Sequence, residues 1–599
     1  MSEKVKLRSE IDAKHQWRIH DIYASNEEFE KELERVKKEA TVLVNYKDRL
    51  HEKESLLAYL KDYEKYTRIV EKLYVYAHMK NDEDTGNTKQ QVIMSKIAQY
   101  VAEYSAMASY FVPELLSLSD ETIKNYLEDE DLSGYRFYIE SIVKEKPHVL
   151  SKEKEELLAT LSDSLNAPDD IFSIFTNADM TFSDVEDGEG NMHPMTEGSY
   201  SNYIISKDRT LRENAFKELF GTYGKYKNSI GTMLSSNMKT FNLKAKLRNY
   251  EGPIEASLSP NNIPVEVYDN SLETISEGVG ALHRYVDIKK RLLNLDEIHM
   301  YDLYVPIIDV PEEKISFDEG VKLALEGLKP MGEEYLSIFR SGVENGWIDI
   351  YENKGKRSGA YSSGAYDTEP YILLNYHDKL RDVSTLVHEM GHSIHSYYSR
   401  KHQPFIYGDY TLFVAEVAST TNEKLLIHHQ IENETDPVKK LYLVNQELEQ
   451  IRTTVFRQLM FAEFEKITHE TIQKGTPMTG EDFSALWLDL NRKYFGEDIV
   501  IDKEIEVEWA RIPHFYRDFY VYQYATGYAA ASAFAESILK EGEEAVKRFI
   551  GFLSTGGSDY PVETLQTAGV DMTSKAPLEA TIRRFNELLD MLEEYIQSR

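Results

Sequence analysis

The chain of 599 residues contains no cysteine. That absence excludes disulfides and removes thiolate from the possible metal ligands, so a zinc site here has only imidazole and carboxylate to draw on. Long hydrophobic runs are missing too. No stretch approaches the roughly 18 apolar residues that span a bilayer, and the N-terminal MSEKVKLRSEIDAKHQWRIHDIY lacks the apolar centre of a secretory signal. Together these absences predict a cytoplasmic protein with no membrane partner. Basic charge is short, with 69 Lys and Arg against 103 Asp and Glu and a formal net charge of −34. Such a surface repels phosphate backbones and anionic lipid, which argues against nucleic-acid and membrane binding. It mildly favours basic substrates, but its plainer reading is a set of solvated acidic helix faces.

What is present is mostly helix. Residues 1–200 carry no recognisable chemistry. Ser25 is placed to N-cap a helix beginning NEEFEKELERVKKEATVLV, with acids early and bases late as the helix dipole favours. Leu56–Met79 and Val92–Leu116 repeat apolar residues at three- and four-residue spacing. The pattern breaks at Met180–Tyr200, where the polar turn Glu186–Asn191 separates short extended runs and predicts a hairpin. Helices are expected again at Asp208–Asn249, Val265–Leu293, Ser316–Phe339 and Leu578–Gln597, with a loop at Pro253–Pro264 and an extended piece at Tyr301–Pro306. A loop punctuated by Gly355, Gly359 and Gly364 leads into Pro370–Tyr376, which reads as a strand whose free edge can pair with an extended peptide. Length implies two or more lobes, yet no Pro/Gly/Ser linker or fixed-period repeat marks a boundary.

The chemistry centres on Arg381–Arg400, which contains His388-Glu389-Met390-Gly391-His392. Residues four apart lie one above the other on a helix, so His388 and His392 can present imidazoles to one ion. Glu389 lies one position round, within reach of a bound water without being a ligand. This is the H-E-x-x-H arrangement of a zinc peptidase, with Glu as general base. Leu386, Val387 and Ile394 make the helix amphipathic and partly buried. Gly391 costs about 1 kcal/mol against Ala in a helix interior, which points to close approach of another backbone or a ligand.

For the third ligand, Glu416 stands in LFVAEVASTTNEKLL with apolar neighbours on both sides. An unpaired buried carboxylate is expensive, and zinc would offset that cost. Two imidazoles, one carboxylate and an open position make a catalytic rather than a structural ligand set. His395 is the alternative, three residues after His392 on the same face, but so near the line of the other two that facial coordination by all three is awkward. Glu423 is placed either to orient a ligand imidazole or to face solvent. Farther on, Ile512-Pro513-His514 precedes a segment dense in Tyr and then Ala. A tyrosine hydroxyl beside a metal site can donate to a developing oxyanion; the same rings are equally suited to packing a helix bundle.

TLVHEMGHSIHS (Thr385–Ser396), FVAEVASTTNE (Phe413–Glu423), TVFRQLMFAEFE (Thr454–Glu465) and HFYRDFYVYQYATGYAAA (His514–Ala531) resemble the M3 zinc peptidases, the thimet oligopeptidase and oligoendopeptidase F group. RSGAYSSGAYDTEPYILLNY (Arg357–Tyr376) and YDLYVPI (Tyr301–Ile307) look most like the bacterial oligoendopeptidase F branch. The resemblance implies a mainly α, two-lobed body with a deep central channel and a small β-sheet near the zinc helix. It implies a helical region at 1–200 forming part of one lobe and a catalytic region at 201–599. One zinc per chain would be held by His388, His392 and Glu416, with Glu389 catalytic and short peptides as substrates. Transition-state groups would come from His514, Tyr520, Tyr522, Tyr524 and Tyr528; their spacing departs slightly from the thimet pattern, which leaves the assignment among the tyrosines open. Two rivals stand beside this reading. One is a metallocarboxypeptidase-like exopeptidase that uses Arg457 or Arg517 to fix a terminal carboxylate. The other is a catalytically silent peptide-binding protein, against which the presence of Glu389 argues.

Overall fold

The computed structural model describes residues 5–308 and 313–598; the first four residues of the N-terminal stretch lie outside them. The chain forms two compact units of three segments each. The first comprises Met1–Lys146, Glu312–His429 and Phe534–Gly569, the second Pro147–Pro311, Gln430–Ala533 and Val570–Arg599.

The first unit opens on a helix at Asn26–Glu39, whose start is fixed by Ser25 accepting the Glu28 amide. Lys53–Asp82 and Thr88–Ala108 follow. Phe29, Leu33, Leu56, Leu73 and Ile97 are fully buried between them, and Tyr59 stacks on Phe111 at 4.5 Å. The apolar periodicity expected to run unbroken to Leu116 restarts at Phe111–Ser117. Pro113 sits in the first turn of that short helix, where a missing N–H costs nothing. Ser316–Phe339 likewise divides, into Phe317–Gly327 and Gly332–Glu344, at a turn closed by Gly332 with φ of 78°.

A three-stranded sheet completes this unit. Ile348–Asp349 pairs in parallel with Tyr371–Leu373, which pairs antiparallel with Tyr361–Ser363. Tyr371, Ile372 and Leu373 are all buried, as a continuous apolar run in a central strand should be. The edge strands are therefore Ile348–Asp349 and Tyr361–Ser363 and not, as the sequence suggests, the Tyr371 strand, which is central.

The second unit is helical around Phe464, Trp487 and Phe515, whose rings meet at 4.9 to 6.0 Å. The expected hairpin is present: Val185–Glu186 pairs antiparallel with Met192–His193. Its turn is organised by Asp187, which accepts from the amides of Glu189 and Asn191 and faces His193 Nε2 at 2.7 Å. Two connecting segments differ from expectation. Pro253–Leu258 is a short helix, because Pro253 falls at its first position where fixed φ favours helix entry. Met300–Asp302 is a 3-10 turn; the extended piece lies just before it, with Ile298–His299 pairing in parallel with Ile499–Val500. Ala576–Gln597 closes the chain as a helix. Among the described residues no helix is long and apolar enough to cross a membrane.

Candidate metal centre and active site

The HExxH helix runs Leu380–His402. Asp382 accepts the His377 and Lys379 amides at its start, and Arg400, Lys401 and His402 occupy its last turn. Val383, Leu386, Val387, Met390, Ile394 and Tyr398 are wholly buried and hold one face in the first unit's core. A second helix, Leu412–Asn433, crosses it. Gly391 makes the crossing possible, since a Cβ there would lie 2.5 Å from the Ser419 Cα. The close approach inferred from this glycine is thus to backbone. Asn422 ties the helices together, donating to the Val387 carbonyl at 3.0 Å and accepting from the Tyr335 hydroxyl at 2.8 Å.

At this crossing three side chains converge. His388 Nε2 and His392 Nε2 are 3.2 Å apart, and Glu416 Oε2 lies 3.4 Å from the first and 3.5 Å from the second. A tetrahedral ion with ligands at about 2.0–2.1 Å needs donor separations of about 3.3–3.4 Å, so the triangle fits zinc in size as well as in donor type. Glu416 is the expected residue placed for a different reason. Its side chain is half exposed, facing a cavity of about 680 Å³ together with Ser362, Glu389 and Tyr410; only its neighbours Val414, Val417 and Ala418 are buried. Ser419 donates to its Oε2 at 3.2 Å. Glu423 faces His388 Nδ1 at 2.5 Å, which leaves Nε2 directed at the triangle. His395 is not part of the triangle. It is buried in a parallel stack on Tyr410 at 3.6 Å, with Nδ1 lacking a hydrogen-bond partner.

Comparison with known proteins gives this geometry its context. The profile of peptidase family M3 matches residues 202–584, and that of oligopeptidase F matches 114–182. The chain is 48% identical to oligopeptidase PepF of Bacillus subtilis (strain 168) over 591 residues, 98% of this chain and 88% of that one. The chain belongs to peptidase family M3. An oligoendopeptidase F homolog of Lactococcus lactis subsp. lactis (strain IL1403) is 40% identical over 99% of both chains. The crystal structure of oligoendopeptidase-F from Enterococcus faecium superposes with a TM-score of 0.73 at 38% identity, covering 96% of this chain and 100% of that one. As a member of the family the chain is a metalloendopeptidase of mainly helical fold.

The electrostatics of this M3 peptidase suit a cation at the triangle. Burial lowers the His388 pKa, but the hydrogen bond and charge of Glu423, with Glu389 and Glu416 behind, outweigh it and bring it to about 9. Burial and the neighbouring His388 push His392 the opposite way, downward. Glu389 is buried and pushed up to about 7, mainly by burial and against the pull of His388. Burial alone takes most of His395's fall to about 3.

The remaining predicted residues lie in the second unit. His514 is in a 3-10 turn, Pro513–Tyr516. Its Nε2 is 3.4 Å from the Tyr524 hydroxyl, and its ring lies beside Tyr520. Burial and Arg517 lower its pKa. These three are partly exposed, whereas Tyr522 and Tyr528 are buried, Tyr522 against Tyr268 at 5.0 Å. Arg457 is taken up by Glu508 at 2.6 Å. Sequence reasoning missed Tyr410 and Ser362. Tyr410 lines the cavity and bonds Ser396 and the His392 carbonyl. The Ser362 amide reaches Glu389, and its hydroxyl reaches Ser393. No local pattern marks either residue; both are defined by what the HExxH helix packs against.

Proposed function

We propose that this M3 peptidase is a zinc-dependent oligoendopeptidase that hydrolyses internal bonds of short peptides. One zinc per chain is held by His388, His392 and Glu416, and Glu389 is the general base. The observation that carries this reading is the donor triangle of 3.2 to 3.5 Å beside a buried Glu389. The catalytic region is taken as 201–599, supported by the family match at 202–584; the helical region 1–200, expected to form part of one lobe, is divided between the two units after Lys146.

Bound zinc supplies a Lewis acid and a water of lowered pKa. Glu389 takes a proton from the attacking water and passes it to the leaving amine. Glu423 fixes the His388 ring through Nδ1, and Tyr410 fixes the His392 turn through the carbonyl of that residue. The free edge of Tyr361–Ser363 lines the cavity, and an extended peptide pairing along it would take the place of the contact between the Ser362 amide and Glu389. His514, Tyr520 and Tyr524 are carried over from the family resemblance as donors to the developing oxyanion. Tyr522 and Tyr528 stand lower, because both rings are buried in the core of their unit.

The test is a short peptide blocked at both ends. Internal cleavage by the zinc-loaded enzyme supports the reading. Cleavage only when a terminus is free would favour an exopeptidase, and binding without cleavage would favour a silent peptide-binding protein.

A further inference from the structure

Within the second unit, Ile204, Phe216, Phe220, Leu303, Phe495 and Ile505 wall a cavity of about 240 Å³. At the roughly 30 Å³ a water molecule occupies in the liquid, it holds on the order of eight non-hydrogen atoms. None of the metal-centre residues lines it. A polar set converges on one side of these apolar walls. Glu508 is buried; Arg457 donates to its Oε1 at 2.6 Å, while its Oε2 has no hydrogen-bond partner. Arg511 lies over the Tyr200 ring at 5.2 Å and donates to Glu197 at 2.8 Å. Tyr200 and Tyr304 also line the cavity, and among the described residues neither hydroxyl is hydrogen-bonded. Burial raises the Tyr200 pKa, so its hydroxyl remains a donor.

The surrounding structure holds this set in place. Arg457 directly follows a π-helical turn, Arg452–Phe456, a rare conformation that concentrates at functional sites. Arg452 lies over the Tyr304 ring at 4.7 Å, and Lys289 donates to the Leu303 carbonyl at 2.5 Å. A buried carboxylate oxygen without a donor calls for a ligand group that supplies one. The two arginines balance Glu508 and Glu197, so the ligand should carry no net charge. It needs a donor for Glu508, an acceptor for Arg457 and the tyrosine hydroxyls, and a small apolar body.

A free apolar α-amino acid meets all three requirements. We propose that this cavity is a binding site for such an amino acid, of about the size of leucine. Its ammonium would lie beside the Glu508 carboxylate, its carboxylate toward Arg457 and the two hydroxyls, and its side chain among Phe216, Phe220 and Ile505.

The experiment is calorimetric titration of L-leucine into the full-length protein and into full-length His388→Ala, which cannot bind an amino acid through the metal. Saturable binding is expected in both. N-acetyl-leucine, which lacks the ammonium, and L-glutamate, which carries net charge, should bind at least about tenfold more weakly. Ser201→Trp, a change at an exposed position on the cavity rim, should abolish binding, and Glu508→Gln should weaken it about tenfold or more. No saturable binding to His388→Ala would overturn the proposal, and so would binding unchanged by Ser201→Trp. Because the readout is binding to a variant without its metal ligand, the result stands apart from whether the peptidase reading holds.

Discussion

Gly391→Ala offers a direct test of how the metal centre is built. A Cβ at this position would stand 2.5 Å from the Cα of Ser419, 2.8 Å from its nitrogen and 2.9 Å from the Ala418 carbonyl oxygen. All three atoms are backbone, so no side chain can turn aside. Restoring ordinary contact, about 3.5–4.0 Å between carbons, requires the two helices to part by about 1 Å. Ser419 is one turn beyond Glu416, whose carboxylate would move off the histidine pair by a similar distance, well beyond the roughly 0.2 Å tolerance of a metal–ligand bond. Overpacking costs about 1–3 kcal/mol, and the upper end applies where backbones collide. Alanine returns about 1 kcal/mol of helix propensity. The metal-free protein should therefore lose about 2 kcal/mol in urea unfolding. Zinc affinity, titrated against a chelating dye, should fall about 10- to 100-fold. Gly551→Ala is the control, because a Cβ there meets nothing within 4 Å; it should gain stability and keep its zinc affinity. If Gly391→Ala behaved like Gly551→Ala, the inferred helix crossing would be wrong.

Glu423→Ala removes the partner of His388 Nδ1 and should lower zinc affinity about 10- to 100-fold, measured in the same dye competition; an unchanged affinity would deny Glu423 its orienting role. Glu71 is pushed up from 4.5 to about 7, chiefly by burial and then by Asp409. With a raised folded pKa, its contribution to stability is complete below pH 4.5 and is lost as pH rises through 7. Glu71→Gln cannot ionise, so it should gain on the wild type between pH 4.5 and 8 by up to about 3 kcal/mol. A difference in unfolding free energy that did not vary with pH would contradict this. Removal of zinc by a chelator should abolish peptide cleavage, and stoichiometric zinc should restore it, followed by turnover of the blocked peptide.

The centre was legible where chemistry and helical period coincide. His388, Glu389 and His392 are fixed by a spacing of four on an amphipathic helix, and Gly391 announced a close crossing before its partner was known. Glu416 was found by composition, but the reasoning from burial did not survive. Its neighbours are buried while the carboxylate faces a cavity, a distinction of helix face that flanking apolar residues do not reveal. His395 shares the ligand face by periodicity, yet only the fold shows Tyr410 stacked on it. The edge strand was misplaced for a related reason. Tyr371–Leu373 has the apolar run that marks a strand, and that same run marks it as central; Tyr361–Ser363 is three half-buried residues in a Gly/Ser stretch that reads as loop. The compact units were invisible because the chain contributes three separate segments to each, and no linker composition marks such a boundary.

The central claim is that three residues hold the metal while a fourth does the proton transfer. The measurement that separates these roles is zinc content and turnover of the blocked peptide in one preparation of Glu389→Gln beside the wild type. The account predicts one zinc per chain in both proteins and a loss of several orders of magnitude in kcat for the variant, since Glu389 is not among the three converging donors. Turnover preserved in Glu389→Gln would contradict the mechanism, and a wild type that binds no metal would contradict the site itself.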